Sequence, residues 1–199
     1  MTTATETQFT AYLTLMQKWN RIVNLTAILD LKQMYVLHIL DSLSILPYLH
    51  GKQIIDVGSG AGLPGIPLAI ASPEHFFCLL DSNGKKIRFL NQVVYELGLK
   101  NVTTVHSRAE DFHPETCFDT IVTRAFANLQ TMLTSTEHLL CKDGLFLAMK
   151  GLYPEEELTH IPDQFKVMAV HRLLIKELQA ERHVVCLQKG NLWEKSLRL

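Results

Sequence analysis

The chain has 199 residues, of which 47% are hydrophobic and 20% charged, and its net charge is −1. This is enough apolar material for one substantial core with a small appendage, and it excludes a disordered chain or a second full domain. No overall basic field marks a nucleic-acid binder, so any such contact must come from a local patch. Phe9, Tyr12, Leu13, Met16, Trp19, Ile22 and Val23 recur at intervals of three and four, which predicts an amphipathic helix with a core-packing face. At its exit, Trp19, Asn20, Arg21, Asn24 and Thr26 form a dense polar and aromatic group open to two readings, packing or ligand contact. A second helix is expected over 33–48, stopped by Pro47, with Gly51 ending the segment. Residues 1–50 therefore read as a helical lid, followed by one compact unit over residues 51–199.

The rest of the chain is organised around QIIDVGSGAGLPGIPLAIA, residues 53–71. Ile54, Ile55 and Val57 predict a short buried strand, and a glycine-rich turn then leads into an apolar helix from Ile66. Gly58, Gly60 and Gly62 can adopt positive φ and let backbone approach a ligand, which makes this a nucleotide-binding beginning. The dinucleotide fingerprint fails when counted from Gly58, because Leu63 stands where glycine is needed. It matches Gly60, Gly62 and Gly65 only in a frame that starts late.

Phe76 to Asp81 predicts a second buried strand, ending in a carboxylate placed to accept from ribose hydroxyls in a doubly wound sheet; the alternative is a cap for a helix over 82–97. Lys85, Lys86 and Arg88 lie in the first turns of that helix, against the macrodipole preference, as a solvated face or a phosphate contact. Residues 101–106 form the third expected strand, and SRAEDF at 107–112 places Ala109 and Glu110 on a ligand rim. FDTIVTRAFANL, 118–129, predicts a fourth strand that delivers Arg124 to the cleft, then a helix to Leu140. A fifth strand follows over 143–151, ending near Lys150. The acidic run Glu155 to Glu157 suits a helix first turn, and residues 165–175 and 183–188 predict an antiparallel pair at the sheet edge.

Cys78, Cys117, Cys141 and Cys186 contain no C-x-x-C pair, which predicts free thiols in a reducing compartment rather than a disulfide framework or a zinc site. The nine histidines show no ligand spacing, so no metal is expected. Residues 1–8 are polar, and no apolar run approaches the roughly 20 residues of a membrane span. These features predict a cytoplasmic protein without a membrane partner.

Asp56 completes a D-x-G-x-G-x-G pattern that resembles the first motif of methyltransferases using S-adenosylmethionine. Together, WNRIVNLT, HILDSL, DVGSGAGLPGIPLA, LLDSNGKKIRFL, SRAEDF, TRAFANL, the strand ending in KG, and ERHVV resemble the GidB (RsmG) family of bacterial 16S ribosomal RNA guanine-N7 methyltransferases. The resemblance runs from Trp19 to about Lys189, and the N-terminus looks short for the family. It implies an α/β, Rossmann-like class I methyltransferase with a seven-stranded sheet, helices on both faces and an N-terminal helical lid. It also implies S-adenosyl-L-methionine as cofactor and 16S ribosomal RNA as partner, within the small subunit or an assembly intermediate, with a monomer expected. Family cofactor positions fall on Gly58, Leu63, Ala109, Glu110 and Arg124; Asp81 and Gly60 are added from their place in the strand and loop.

Arg124 is the expected orienting residue, beside both cofactor and target. No general base is expected, because guanine N7 has a free in-plane lone pair and loses no proton on methylation. Lys150, Arg182 and His183 are weaker candidates for RNA backbone contacts. Two other readings fit parts of the chain: a nicotinamide-dependent oxidoreductase using Gly60, Gly62, Gly65 and Asp81, and a non-catalytic nucleotide-binding ribosome-assembly module.

Overall fold

The structure, a computed structural model, describes residues 2–190, so the last nine residues of the unit expected over 51–199 lie outside the described residues. Helix α1 (Thr3–Trp19) is capped by the Thr2 side chain, which accepts from the Thr5 amide, and buries Phe9, Tyr12, Leu13, Leu15 and Met16. The second helix differs from the expected single run. Helix α2 (Leu31–Met34) passes into a π-helical turn (Tyr35–Leu40), then α3 (Asp41–Leu43) and a 3-10 turn (Leu46–Tyr48). A π-turn inserts an extra residue and so rotates the side chains that follow, which simple helical periodicity does not capture.

Seven strands follow: β1 (Gln53–Val57), β2 (Phe76–Asp81), β3 (Val102–His106), β4 (Phe118–Arg124), β5 (Leu140–Lys150), β6 (Phe165–Arg172) and β7 (His183–Lys189). Their spatial order is β3-β2-β1-β4-β5-β7-β6. The first five are parallel; β7 enters antiparallel beside β5 and pairs with β6 at the edge. Helices α4 (Gly65–Ala71), α5 (Gly84–Leu97), α6 (Leu129–Thr136) and α7 (Glu155–Leu158) complete the fold.

Strand alternation divides the core between two faces. Ile54, Phe77, Leu79, Val122 and Leu147 pack with α1, α4 and α5 on one face; Ile55, Val57, Leu80, Ile121 and Phe146 pack with α6 on the other. The N-terminal helices share the first core, since Phe9, Tyr12, Met34, Ile39 and Ile45 are buried in the same cluster as Ile54.

Local caps explain the shifted boundaries. Helix α5 begins at Gly84 because the Asn83 side chain accepts from the Lys85 amide, and it ends at Gly98 in the left-handed region. Asp81 is therefore not its cap. The expectation of free thiols at Cys117 and Cys141 is corrected: the two are joined as a disulfide, with Cα atoms 5.0 Å apart. Their neighbours Phe118 and Leu140 are register partners at the start of β4 and β5, a proximity that a sequence separation of 24 conceals. Cys78 and Cys186 are free and buried. Among the described residues no helix is long and apolar enough to cross a membrane.

Candidate functional site

Two cavities open at the carboxyl edge of the sheet, where a doubly wound fold places its ligands. The first, about 310 Å³, lies over the ends of β1, β2 and β3, and its wall includes Gly58, Asp81, Lys86, Ala109, Glu110 and Phe126. The second, about 490 Å³, lies between the π-helical turn and the ends of β4 and β5. Ala125 lines both, so they adjoin. Its φ of 54° is in the left-handed region, an unusual conformation for a residue with a Cβ and one that concentrates at functional sites.

The glycine turn is held by the strand ends below it. The amides of Gly58 and Ser59 donate to the Leu80 carbonyl at 2.8 and 3.1 Å. Gly58 has φ +71°, and a Cβ there would lie 2.6 Å from the Phe126 ring. Asp81, 7% exposed, accepts from the Gly60 amide on Oδ2 and from the Asn83 amide on Oδ1, both at 2.8 Å, while Lys86 Nζ stands 4.0 Å away. Asp81 thus braces the loop, and each carboxylate oxygen keeps a further lone pair. Gly60 and Leu63 are not among the residues lining the cavity: Gly60 meets it through its amide on Asp81, and Leu63 is buried in the core before Pro64. Asp56 holds the start of α4 by accepting from the Gly65 amide at 2.8 Å. Its Oδ1 has no hydrogen-bond partner among the described residues, and burial pushes its pKa up to about 7.

In the second cavity the organising group is Asp41, 3% exposed. Its Oδ2 accepts from Arg124 Nη1 at 3.1 Å and its Oδ1 from Arg182 Nε at 2.9 Å, and Arg124 also donates to the Leu37 carbonyl. A carboxylate from the N-terminal helices therefore ties the end of β4 to the β6–β7 connection. Arg124 lines this cavity and not the first, which its neighbour Ala125 lines as well.

Lys150 is engaged internally: Nζ is 2.7 Å from Glu157 Oε2, the same oxygen that accepts from the Leu129 amide. His183 is buried and donates from Nδ1 to the Gly151 carbonyl at 3.0 Å. Both are thus structural contacts in this arrangement. Lys85 and Arg88 are exposed, while Lys86 turns toward Asp81. At the exit of α1, Asn20 accepts from the Leu25 and Thr26 amides and donates to the Thr26 carbonyl, so it braces the loop.

Asp41 and His38 are the residues that sequence reasoning singled out only as part of HILDSL. The available signal was an acid and a histidine three residues apart on an otherwise apolar helical face.

The sheet order, with its reversed final strand, is that of the Rossmann-like class I methyltransferase fold. The chain is similar in fold to magnesium protoporphyrin IX methyltransferase from Synechocystis with bound S-adenosylmethionine: TM-score 0.64, 14% identity, covering 89% of this chain and 97% of that one. The family model described as GidB, rRNA small subunit methyltransferase G, matches residues 5–185, and the chain belongs to that family. Ribosomal RNA small subunit methyltransferase G of Alteromonas mediterranea is 52% identical over 182 residues, covering 92% of this chain and 86% of that protein. The namesake from Idiomarina loihiensis is 49% identical over 175 residues, covering 88% and 85%.

Proposed function

We propose that this protein transfers a methyl group from S-adenosyl-L-methionine to N7 of a specific guanine in 16S ribosomal RNA. The observation that carries the reading is the pair of cavities sharing one wall at Ala125, so that a group held in one faces a group held in the other. The first cavity fits an adenosine-bearing cofactor by its donor and acceptor set. Asp81 has lone pairs for ribose hydroxyls, Gly58 lets backbone come close, and Ala109 with Glu110 forms the rim after β3. Gly60 supports the cofactor indirectly by fixing Asp81, and Leu63 by its place in the loop.

When bound, the cofactor supplies an electrophilic sulfonium methyl. This chain contributes position. Arg124, held by Asp41, orients the target base or a neighbouring phosphate in the second cavity, and alignment of nucleophile and methyl supplies most of the rate advantage. Guanine N7 needs no base. His38 is the histidine lining that cavity, and burial together with the Arg124 charge lowers its pKa to about 4, so it is neutral at physiological pH. The substrate is the small subunit or an assembly intermediate, met by a monomer in the cytoplasm.

The test is transfer of tritiated methyl to small subunits from a strain lacking this protein, with the product nucleoside identified. Label in 7-methylguanosine of 16S RNA is the expected result. Label in another base, or none, defeats the reading.

A further inference from the structure

His38 is 5% exposed, lines the second cavity, and has an Nδ1 that makes no well-formed hydrogen bond among the described residues, although its ring also interacts with the Leu37 backbone. The network at the other ring nitrogen admits the proton on Nδ1. The Ile28 amide donates to Thr26 Oγ1 at 3.1 Å, leaving the Thr26 hydroxyl proton free to point at His38 Nε2, 2.9 Å away. An Nε2 that accepts leaves the proton on Nδ1 of a neutral ring. A buried N–H donor without an acceptor is disfavoured, and a ligand that brings an acceptor relieves it.

The neighbouring polar side chains are already engaged, Asp41 with both arginines and Lys150 with Glu157. The segment that presents His38 is the π-helical turn, a distortion that recurs at functional sites.

We propose that His38 selects the target base, its Nδ1–H donating to the O6 carbonyl oxygen of the guanine. The inference rests on the function proposed above and adds the means of discrimination. O6 neighbours N7 on the same edge of the purine, so a donor at O6 anchors the base beside the nitrogen to be methylated. Adenine would bring its N6 amino group against the imidazole N–H, donor against donor. The guanidinium of Arg124 remains tied to Asp41 and positions the base by charge.

The experiment uses 16S RNA assembled by ligation, carrying at the methylated position guanine, inosine (O6 kept, 2-amino group absent) or 2-aminopurine (O6 absent). Single-turnover transfer is measured at saturating cofactor. The unaltered protein is expected to treat guanine and inosine within about threefold of each other and to slow by about 30-fold on 2-aminopurine, the scale of one lost buried hydrogen bond. His38→Ala should slow guanine and inosine by about 30-fold while leaving 2-aminopurine within about threefold, abolishing the discrimination. His38→Gln, which can offer an amide N–H, should recover part of it. Calorimetric affinity for S-adenosylmethionine, unchanged in both variants, separates this from a collapsed site. Equal slowing of all three substrates by His38→Ala, or no discrimination by the unaltered protein, overturns the proposal. If guanine RNA itself accepts no methyl from the unaltered protein, the functional reading falls and the proposal with it.

Discussion

The two cavities at the carboxyl edge of the sheet are built in opposite ways. The first is made largely by backbone: turns that leave β1, β2 and β3, with Asp81 accepting from two main-chain amides to hold them. The second is made from five separate segments, Ile28, Leu37 to Asp41, Arg124 with Ala125, Met149 to Gly151, and Arg182, three of them joined through the ion pairs of Asp41. A backbone cradle does not accommodate an added Cβ at Gly58, whereas a charge-held cavity depends on its shared carboxylate, Asp41. Binding of cofactor and transfer to target should therefore be separable by mutation.

The largest effect expected is at Asp41. Asp41→Ala leaves Arg124 and Arg182 without their shared acceptor and should lower single-turnover methyl transfer by about 100-fold, with cofactor affinity within about threefold. Equal losses in both would break the distinction between the cavities. Asp81→Ala should act in the opposite sense, weakening S-adenosylmethionine binding by about 1–3 kcal/mol in calorimetry and leaving the saturated transfer rate nearly unchanged.

A third expectation concerns stability against pH, and the two sides differ in sign. Burial holds Asp56 at about 7 in the folded state against an ordinary 3.8, so stability from this group is full below about 4 and is lost as pH rises toward 7. His38 is held at about 4 against 6.5, so its contribution is full above 6.5 and is lost as pH falls toward 4. Over the shared window the slopes oppose. Asp56→Asn should lose stability on acidification from pH 7 to 4.5 relative to the unaltered protein, and His38→Gln should gain it, each by roughly 1–3 kcal/mol. Urea midpoints at the two pH values read this directly, and parallel curves for all three proteins would show that neither group is perturbed.

The smallest effects belong to Lys85 and Arg88, exposed beside the first cavity. Loss of either should weaken RNA binding by about threefold at physiological salt and flatten its salt slope, without changing cofactor affinity. No change in the slope would place the RNA elsewhere.

The same contrast explains what could be read before the structure was known. The parallel strands, the glycine turn, Asp81 at the end of β2 and the reversed final pair are local patterns, each set by a few adjacent residues. The second cavity is not local. Arg124 was visible as a cation at a strand end, but nothing adjacent to it shows that Asp41 holds it, because the two lie 83 residues apart. Lys150 read as an RNA contact for the same reason, its partner Glu157 having been read only as a helix first turn. The π-turn at Tyr35 escaped a pattern search built on a 3.6-residue period, and the Cys117–Cys141 pairing required the β4–β5 register. Gly60 lies in the loop, yet its amide is taken up by Asp81, a residue of the cavity wall, 21 positions on.

Asp41 and Arg182 are joined across 141 residues, and this separation sets an order of events during synthesis. Every residue lining the first cavity lies between Val57 and Phe126, while the second needs residues from Ile28 to Arg182. As the chain leaves the ribosome from its N-terminus, the first cavity, proposed for the cofactor, has all its residues well before the clasp that closes the second, proposed for the target, exists. The protein gains the means to hold its methyl donor first. It gains the means to spend it only when the polypeptide is nearly finished.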